Sequence, residues 1–194
     1  HPGLPVAPAQ DARHPGRDQS VVVADVAAAE RVVDAHLEGG ERGSSEAFVR
    51  EHALEIRQGG DPVLHRPANR PKMARADLEA LVARMFASMV AASGIGIAAP
   101  QIGVALRIAI MDVDAAGIVA IDPSIVDVSE EVEETSEGCL SVRGIYGTTN
   151  RHERVTIKAH HPDGKPFERG AGGLMAQIFE HEIDHLNGTL FIQH

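Results

Sequence analysis

The stretch HEIDH, from His181 to His185, constrains this chain more than any other. Histidines four apart lie one above the other on a helix. With Glu182 beside the first they make H-E-x-x-H, the spacing that grips one metal ion and leaves a carboxylate free to move protons. Two ligands are not enough, because a catalytic zinc or iron site takes three from the protein and keeps one position for water or substrate. The surrounding segment GGLMAQIFEHEIDHLNG places Leu174, Ile178, His181 and His185 along one side. The histidines therefore continue an apolar stripe, and the helix should turn its metal-binding end toward the core.

The third ligand follows by elimination. The nine residues after the motif, LNGTLFIQH, contain no acid that could bind as a distant glutamate, and an H-E-x-x-H-x-x-G-x-x-H arrangement would place its last ligand at Phe191. His194 has no recognised spacing. The ligand must come from upstream, where a thiolate is the strongest candidate for a borderline-soft divalent metal. Cys139, in SEGCLSV, is the only thiol. A lone cysteine is more often a small buried hydrophobe, but EGCLS reads as a polar turn between extended segments, where a side chain can be aimed into a cleft. The Leu140 N–H in that turn is a natural oxyanion donor. Gly138 and Ser141 read as turn formers.

The chain has 194 residues, enough for one domain with a real core. Lys+Arg 18 against Asp+Glu 28 gives a formal charge of -10, which argues against nucleic acid as a partner. No apolar run is long enough to span a membrane, and the start HPGLPVAPAQDARHPG lacks the layout of a secretory signal. A single cysteine fits a reducing compartment, so the expected location is cytoplasmic.

Residues 1–46 read as an N-terminal extension: a mobile start over 1–19, then a helix capped by Ser20 with Val22, Val26, Ala29, Val33 and Leu37 on one stripe, ended by the EGGERGSS break. Residues 47–194 read as the catalytic domain. There ADLEALVARMFASMVAASG predicts a core helix on Leu78, Leu81, Val82, Met85 and Met89, ended by Gly94. VALRIAIMDV, GIVAIDPSIVDV and RVTIKAHH predict strands of antiparallel sheets. In GIGIAAPQIG, Gly94 and Gly96 would share one face of an extended strand and let a substrate backbone come close, unless they only end the helix. Gln101 offers an amide toward a polarised carbonyl.

In this order, GIGIAAPQ, EGCLS and HEIDH resemble the three signature motifs of the peptide deformylases, from about Leu54 onward. The resemblance implies an α+β fold of antiparallel β-sheets packed around a central metal-binding helix. It implies hydrolysis of the formyl group from the N-terminal formyl-methionine of new polypeptides, with formylated peptide N-termini as partners, the ribosome as a further one, and no membrane. Carried over by position, the ligands are Cys139, His181 and His185, with Glu182 as proton shuttle and Gln101 and Leu140 at the oxyanion. The metal is Fe2+ by preference, with Zn2+, Ni2+ or Co2+ accepted by the same donors. Glu137 would support the site from behind a ligand, or be an exposed turn carboxylate. Asp184 would orient a ligand or face solvent. Gly94, Ile95, Gly96, Leu174 and Ile178 would meet substrate, the three larger ones around a methionine side chain, and these three are also ordinary core residues.

The chain departs from the family pattern in places. Glu180 stands where Gln usually precedes the first metal histidine, Arg143 where Pro usually follows CLSV, Tyr146 where some members have a substrate-facing Arg, and Asp122-Pro123 for Asn-Pro. The departures cluster around substrate contacts. Two further readings follow: a related amidase acting on another formylated amine or small amide, and a catalytically silent metal-binding interaction protein. The retained Glu182 speaks against the second.

Overall fold

The computed structural model describes residues 42–113 and 117–194. The helix expected after Ser20, and the start expected to be mobile, lie outside them.

Three α-helices and seven strands are described: α1 (Arg42–His52), α2 (Arg75–Ala91), β1 (Gly96–Ala98), β2 (Ile108–Met111), β3 (Ile118–Val128), β4 (Val132–Cys139), β5 (Val142–His152), β6 (Arg154–His160), β7 (Pro166–Gly172) and α3 (Gly173–Asn187). Five strands form one antiparallel sheet in the order β1-β2-β3-β6-β7, and β4 and β5 pair separately as a long hairpin. This is the expected α+β arrangement. The sheet is double-faced because its strands alternate two sizes of apolar residue. Ile97, Ile108 and Ile110 join α2 on one side, while Ala98, Ala109, Met111 and Ala120 join α3 on the other.

Ala98, Ala109 and Ala120 stand in register across β1, β2 and β3. Three adjacent small side chains let α3 approach closely, and Ala176, Phe179, Ile183 and Leu186 fill that face. Each large side chain buried there adds about 1.5–3 kcal/mol. α3 stops at Gly188, whose φ of 83° is left-handed and whose missing Cβ makes room for the Arg66 backbone.

Two local expectations are corrected. The left-handed residue that follows α2, which stops at Ala91, is Ser93, at φ 55°, not Gly94. The Gly94 N–H reaches back to the Met89 carbonyl at 2.9 Å, so the left-handed step falls one residue earlier. Gly94 also lies before β1, so it shares no strand with Gly96. Its lack of a side chain serves packing: a Cβ would sit 2.7 Å from Leu140 Cδ1. The second correction is α1, which begins inside the stretch read as a break and runs across residue 46. Phe48 is buried in the α2 core, and that docking outweighs the poor helix propensity of the Gly and Ser residues before it.

Candidate metal centre and active-site cleft

Cys139 ends β4 at a register shift, where the strand bulges before the turn into β5. The bulge turns its Sγ toward α3. One donor atom each from Cys139, His181 and His185 lie within 4.8 Å of one another. Cys139 Sγ is 3.2 Å from His185 Nε2. One thiol and two imidazoles at this separation suit a four-coordinate divalent metal with one position left over. Fold and spacing together brought the three ligands expected from sequence to one point.

The protein fixes the His181 ring from behind, whereas Nδ1 of His185 is buried without a hydrogen-bond partner. Nδ1 of His181 donates to Glu137 Oε2 at 3.1 Å. Arg151 grips the same carboxylate with Nε at 2.6 Å and Nη2 at 3.1 Å, and its Nη1 donates to Asp184 Oδ2 at 2.8 Å. His194 Nε2 meets that Asp184 oxygen at 2.8 Å. Glu137 is therefore a buried partner of a histidine and no exposed turn carboxylate, while Asp184 meets Arg151 and His194 and reaches His181 only through Arg151 and Glu137. Nothing local in the sequence marked Arg151; only its place on β5, paired in register with Glu133 of β4, carries it inward.

Electrostatics follow from this chain of contacts. Burial opposes ionisation of Glu137, but hydrogen bonds from His181 and Arg151 win and lower its pKa to about 2. Burial likewise opposes the charge on Arg151, yet Glu137 and Asp184 hold it firmly protonated. His181 is pushed down by burial but raised to about 10 by Cys139, Glu137 and the charge of Glu182. His185 is held well below the usual range by burial and by the His181 charge, so it stays neutral, the form that binds metal.

Glu182 is 3% exposed, and burial raises its pKa to about 7, against the pull of His181 and with the push of Glu137. Its Oε2 is buried without a hydrogen-bond partner. Gly96 makes its place: a Cβ there would collide with Glu182 Oε1 and lie 3.0 Å from its Cδ. Gly96 thus admits the carboxylate as well as lining the cleft.

Gln101 is buried in a short 3-10 turn, Ala99–Ile102. Its Oε1 accepts from the Ala98 N–H at 2.8 Å, which aims Nε2 at Ser141 Oγ (3.3 Å) and Cys139 Sγ (3.7 Å). Ser141, expected only to form the turn, is wholly buried, and its N–H donates to Cys139 Sγ at 3.4 Å. Leu140 is tied down by Gln58, whose Nε2 donates to its carbonyl at 3.2 Å. Glu180 spends its extra charge on His152, accepting from the backbone N–H at 2.9 Å and meeting Nδ1 at 2.8 Å.

A cleft of about 530 Å³ opens onto two of the three candidate ligands, Cys139 and His181. Gly94, Ile95, Gly96, Gln101, Glu137, Leu140, Leu174, Ile178 and Glu182 all line it. Ile178 is core as well, but Ile95 and Leu174 are 48% and 51% exposed, so these two are not core residues.

An H-E-x-x-H helix joined to a thiol donor, with a buried carboxylate that lacks a partner lining a cleft, defines a metal-dependent hydrolase. The family model for polypeptide deformylase matches residues 53–194. The chain belongs to the polypeptide deformylase family, whose members depend on a metal and remove the formyl group from N-terminal formyl-methionine. It is 43% identical over 139 residues to a peptide deformylase of Natranaerobius thermophilus, covering 71% of this chain and 89% of that one. Among solved structures, the peptide deformylase of Thermotoga maritima aligns with a TM-score of 0.72 at 36% identity, over 74% of this chain and 97% of that one. A Met-Ala-Ser-bound class I type b peptide deformylase from Acinetobacter baumannii aligns at 0.70 and 32%, over 73% and 99%. α1 lies outside the matched region. Among the described residues, no helix is long and apolar enough to cross a membrane.

Proposed function

We propose that this chain deformylates formyl-methionyl peptides through Cys139, His181 and His185 as metal ligands, with Glu182 as the group that moves the proton. The observation that carries this reading is the buried, unpartnered Oε2 of Glu182, on a carboxylate whose pKa of about 7 suits a general base at neutral pH. A divalent ion bound by the three donors supplies Lewis acidity and makes hydroxide available near pH 7. Glu182 takes a proton from the attacking water and returns it to the departing amine. The Gln101 amide and the Leu140 N–H stand beside the ligand set as donors to the developing oxyanion, where losing one donor typically costs about 2.7–4 kcal/mol of barrier.

A peptide suits the cleft better than a small formylated amine. β1 is the end strand of the sheet, and Gly94 to Gly96 line the cleft, so an extended substrate can add to its open edge. Ile95, Leu174 and Ile178 supply apolar surface for the methionine side chain. The Acinetobacter relative binds Met-Ala-Ser, which supports a peptide as the ligand. Fe2+ is the proposed metal, and the cytoplasm, at newly made chains leaving the ribosome, the proposed place of action.

The test is formate release from formyl-Met-Ala-Ser under anaerobic conditions, with metal analysis on the same sample. Turnover with about one metal per chain, abolished in Glu182→Gln with metal retained, is expected. Turnover that survives Glu182→Gln would overturn the mechanism, and no turnover on any formyl peptide would overturn the function.

A further inference from the structure

Glu180 and Asp184 stand one turn apart on α3, so they share a face of the helix. Two consecutive residues at the end of β5 hold that face. Arg151 Nη1 donates to Asp184 Oδ2 at 2.8 Å, while His152 gives the Glu180 carboxylate its backbone N–H at 2.9 Å and meets it with ring Nδ1 at 2.8 Å. The next residue extends the strap, because the Glu153 carbonyl accepts from the N–H of Gly173, the first residue of α3, at 3.2 Å. Residues 151–153 thus grip α3 at its start and at the two positions that precede His181 and His185. Glu180 is buried, and a buried carboxylate is unfavourable unless hydrogen bonds satisfy it, which both groups of His152 do.

His181 and His185 follow Glu180 and Asp184 by one position each, about 100° further round the helix. Holding one face therefore sets how far the neighbouring face is rotated and how far it has slid along the axis. The two histidines depend on that control unequally. His181 has Glu137 at its Nδ1, but Nδ1 of His185 has no hydrogen-bond partner among the described residues, so the seating of α3 is what aims that ring. Ligands of a metal must be held within about 0.5 Å and 10–20° of their working geometry.

We infer that Glu180 and His152 are positioning residues for the metal: the pair locks the rotation and height of α3 against β5, and so presets His181 and His185 beside Cys139. The inference rests on the ligand set proposed above. What the pair supplies is position and not charge, because an amide at 180 would still accept from the His152 N–H. Groups behind the ligands matter to binding in just this way, since they fix the direction from which each donor meets the ion.

The test is Zn2+ affinity, measured on the metal-free protein by competition with a chromophoric chelator, together with the visible spectrum of the Co2+ form and a thermal melt of each variant. Glu180→Ala should bind Zn2+ roughly tenfold more weakly and shift the Co2+ bands, while His152→Ala, which keeps the backbone N–H, should lose roughly threefold. The double variant should be no weaker than Glu180→Ala alone, and Glu180→Gln should stay within about twofold of native. Native affinity and spectrum in Glu180→Ala, additive losses in the double variant, or a Glu180→Gln variant as weak as Glu180→Ala would overturn the inference. Should Glu180→Ala fail to fold, native affinity in His152→Ala would overturn it instead. A native chain that takes up no Zn2+ would overturn the ligand set and this inference with it, whereas Zn2+ binding as expected without formate from any peptide would overturn only the deformylase reading.

Discussion

Arg151 holds Glu137 with two hydrogen bonds, at 2.6 and 3.1 Å, and each residue is 4% exposed. The pair joins two strands of one hairpin to the helix that carries the proposed metal ligands, because Glu137 also accepts a hydrogen bond from His181 Nδ1 and Arg151 also holds Asp184. Removing one member of a buried pair leaves the other charge stranded, a far larger penalty than losing a surface contact.

Arg151→Ala should therefore destabilise the fold by about 3–5 kcal/mol in denaturant unfolding. Arg151→Lys should recover only part of that, because an ammonium cannot reproduce the planar fork. Equal stability of the Lys variant and the native chain would show that the charge alone matters.

Acid should weaken the protein through Glu137. Its folded pKa of about 2 lies below the unfolded value of 4.5, so its contribution is fully present above 4.5 and is lost as pH falls through 2. The drop amounts to about 3 kcal/mol. Glu182 has the opposite sign: its folded value of about 7 favours folding below 4.5 and loses that benefit as pH rises through 7. Thermal melts from pH 6 to 2 should show a steep acid limb that is flattened in Glu137→Gln, whose stability at neutral pH is lower throughout.

Metal uptake should release protons. His181, raised to about 10, holds at pH 8 a proton that a ligand must give up. Calorimetric titration with Zn2+ in buffers of different ionisation enthalpy should count at least one proton released per metal. Affinity should fall by about tenfold per unit as pH is lowered through this range. A pH-independent affinity would mean that His181 is already neutral.

Gly96→Ala should separate folding from catalysis. The new methyl group collides with the Glu182 carboxylate, which must move, and a displacement near 1 Å can cost about 10²-fold in rate. Metal content and melting temperature should stay close to native while formate release drops. Full activity in this variant would mean that Glu182 works from another position.

Much of the site was legible along the chain, for reasons that differ residue by residue. His181, Glu182 and His185 are set by helical period alone, and Cys139 was identifiable because there is no other thiol. Gly94 was misread because glycine serves two needs that look alike in sequence, a left-handed backbone and a missing side chain. Only the φ of 55° at Ser93 shows that here it is the second. Ser141 was taken for a turn residue because its contact with Gln101, forty positions away, leaves no local trace.

The sequence by itself determined the candidate ligand types, the face of α3 that carries two of them, and the presence of strands around them. Each is written in short-range spacing that any helix or strand must obey. Tertiary structure alone decided that Arg151, fourteen positions from Glu137, would clamp it, that Glu180 would be matched by His152, and that Tyr146 would lean on Gly138 at the cleft mouth. Those choices depend on which strands pair and in what register, and a one-residue slip would turn every such side chain to the opposite face.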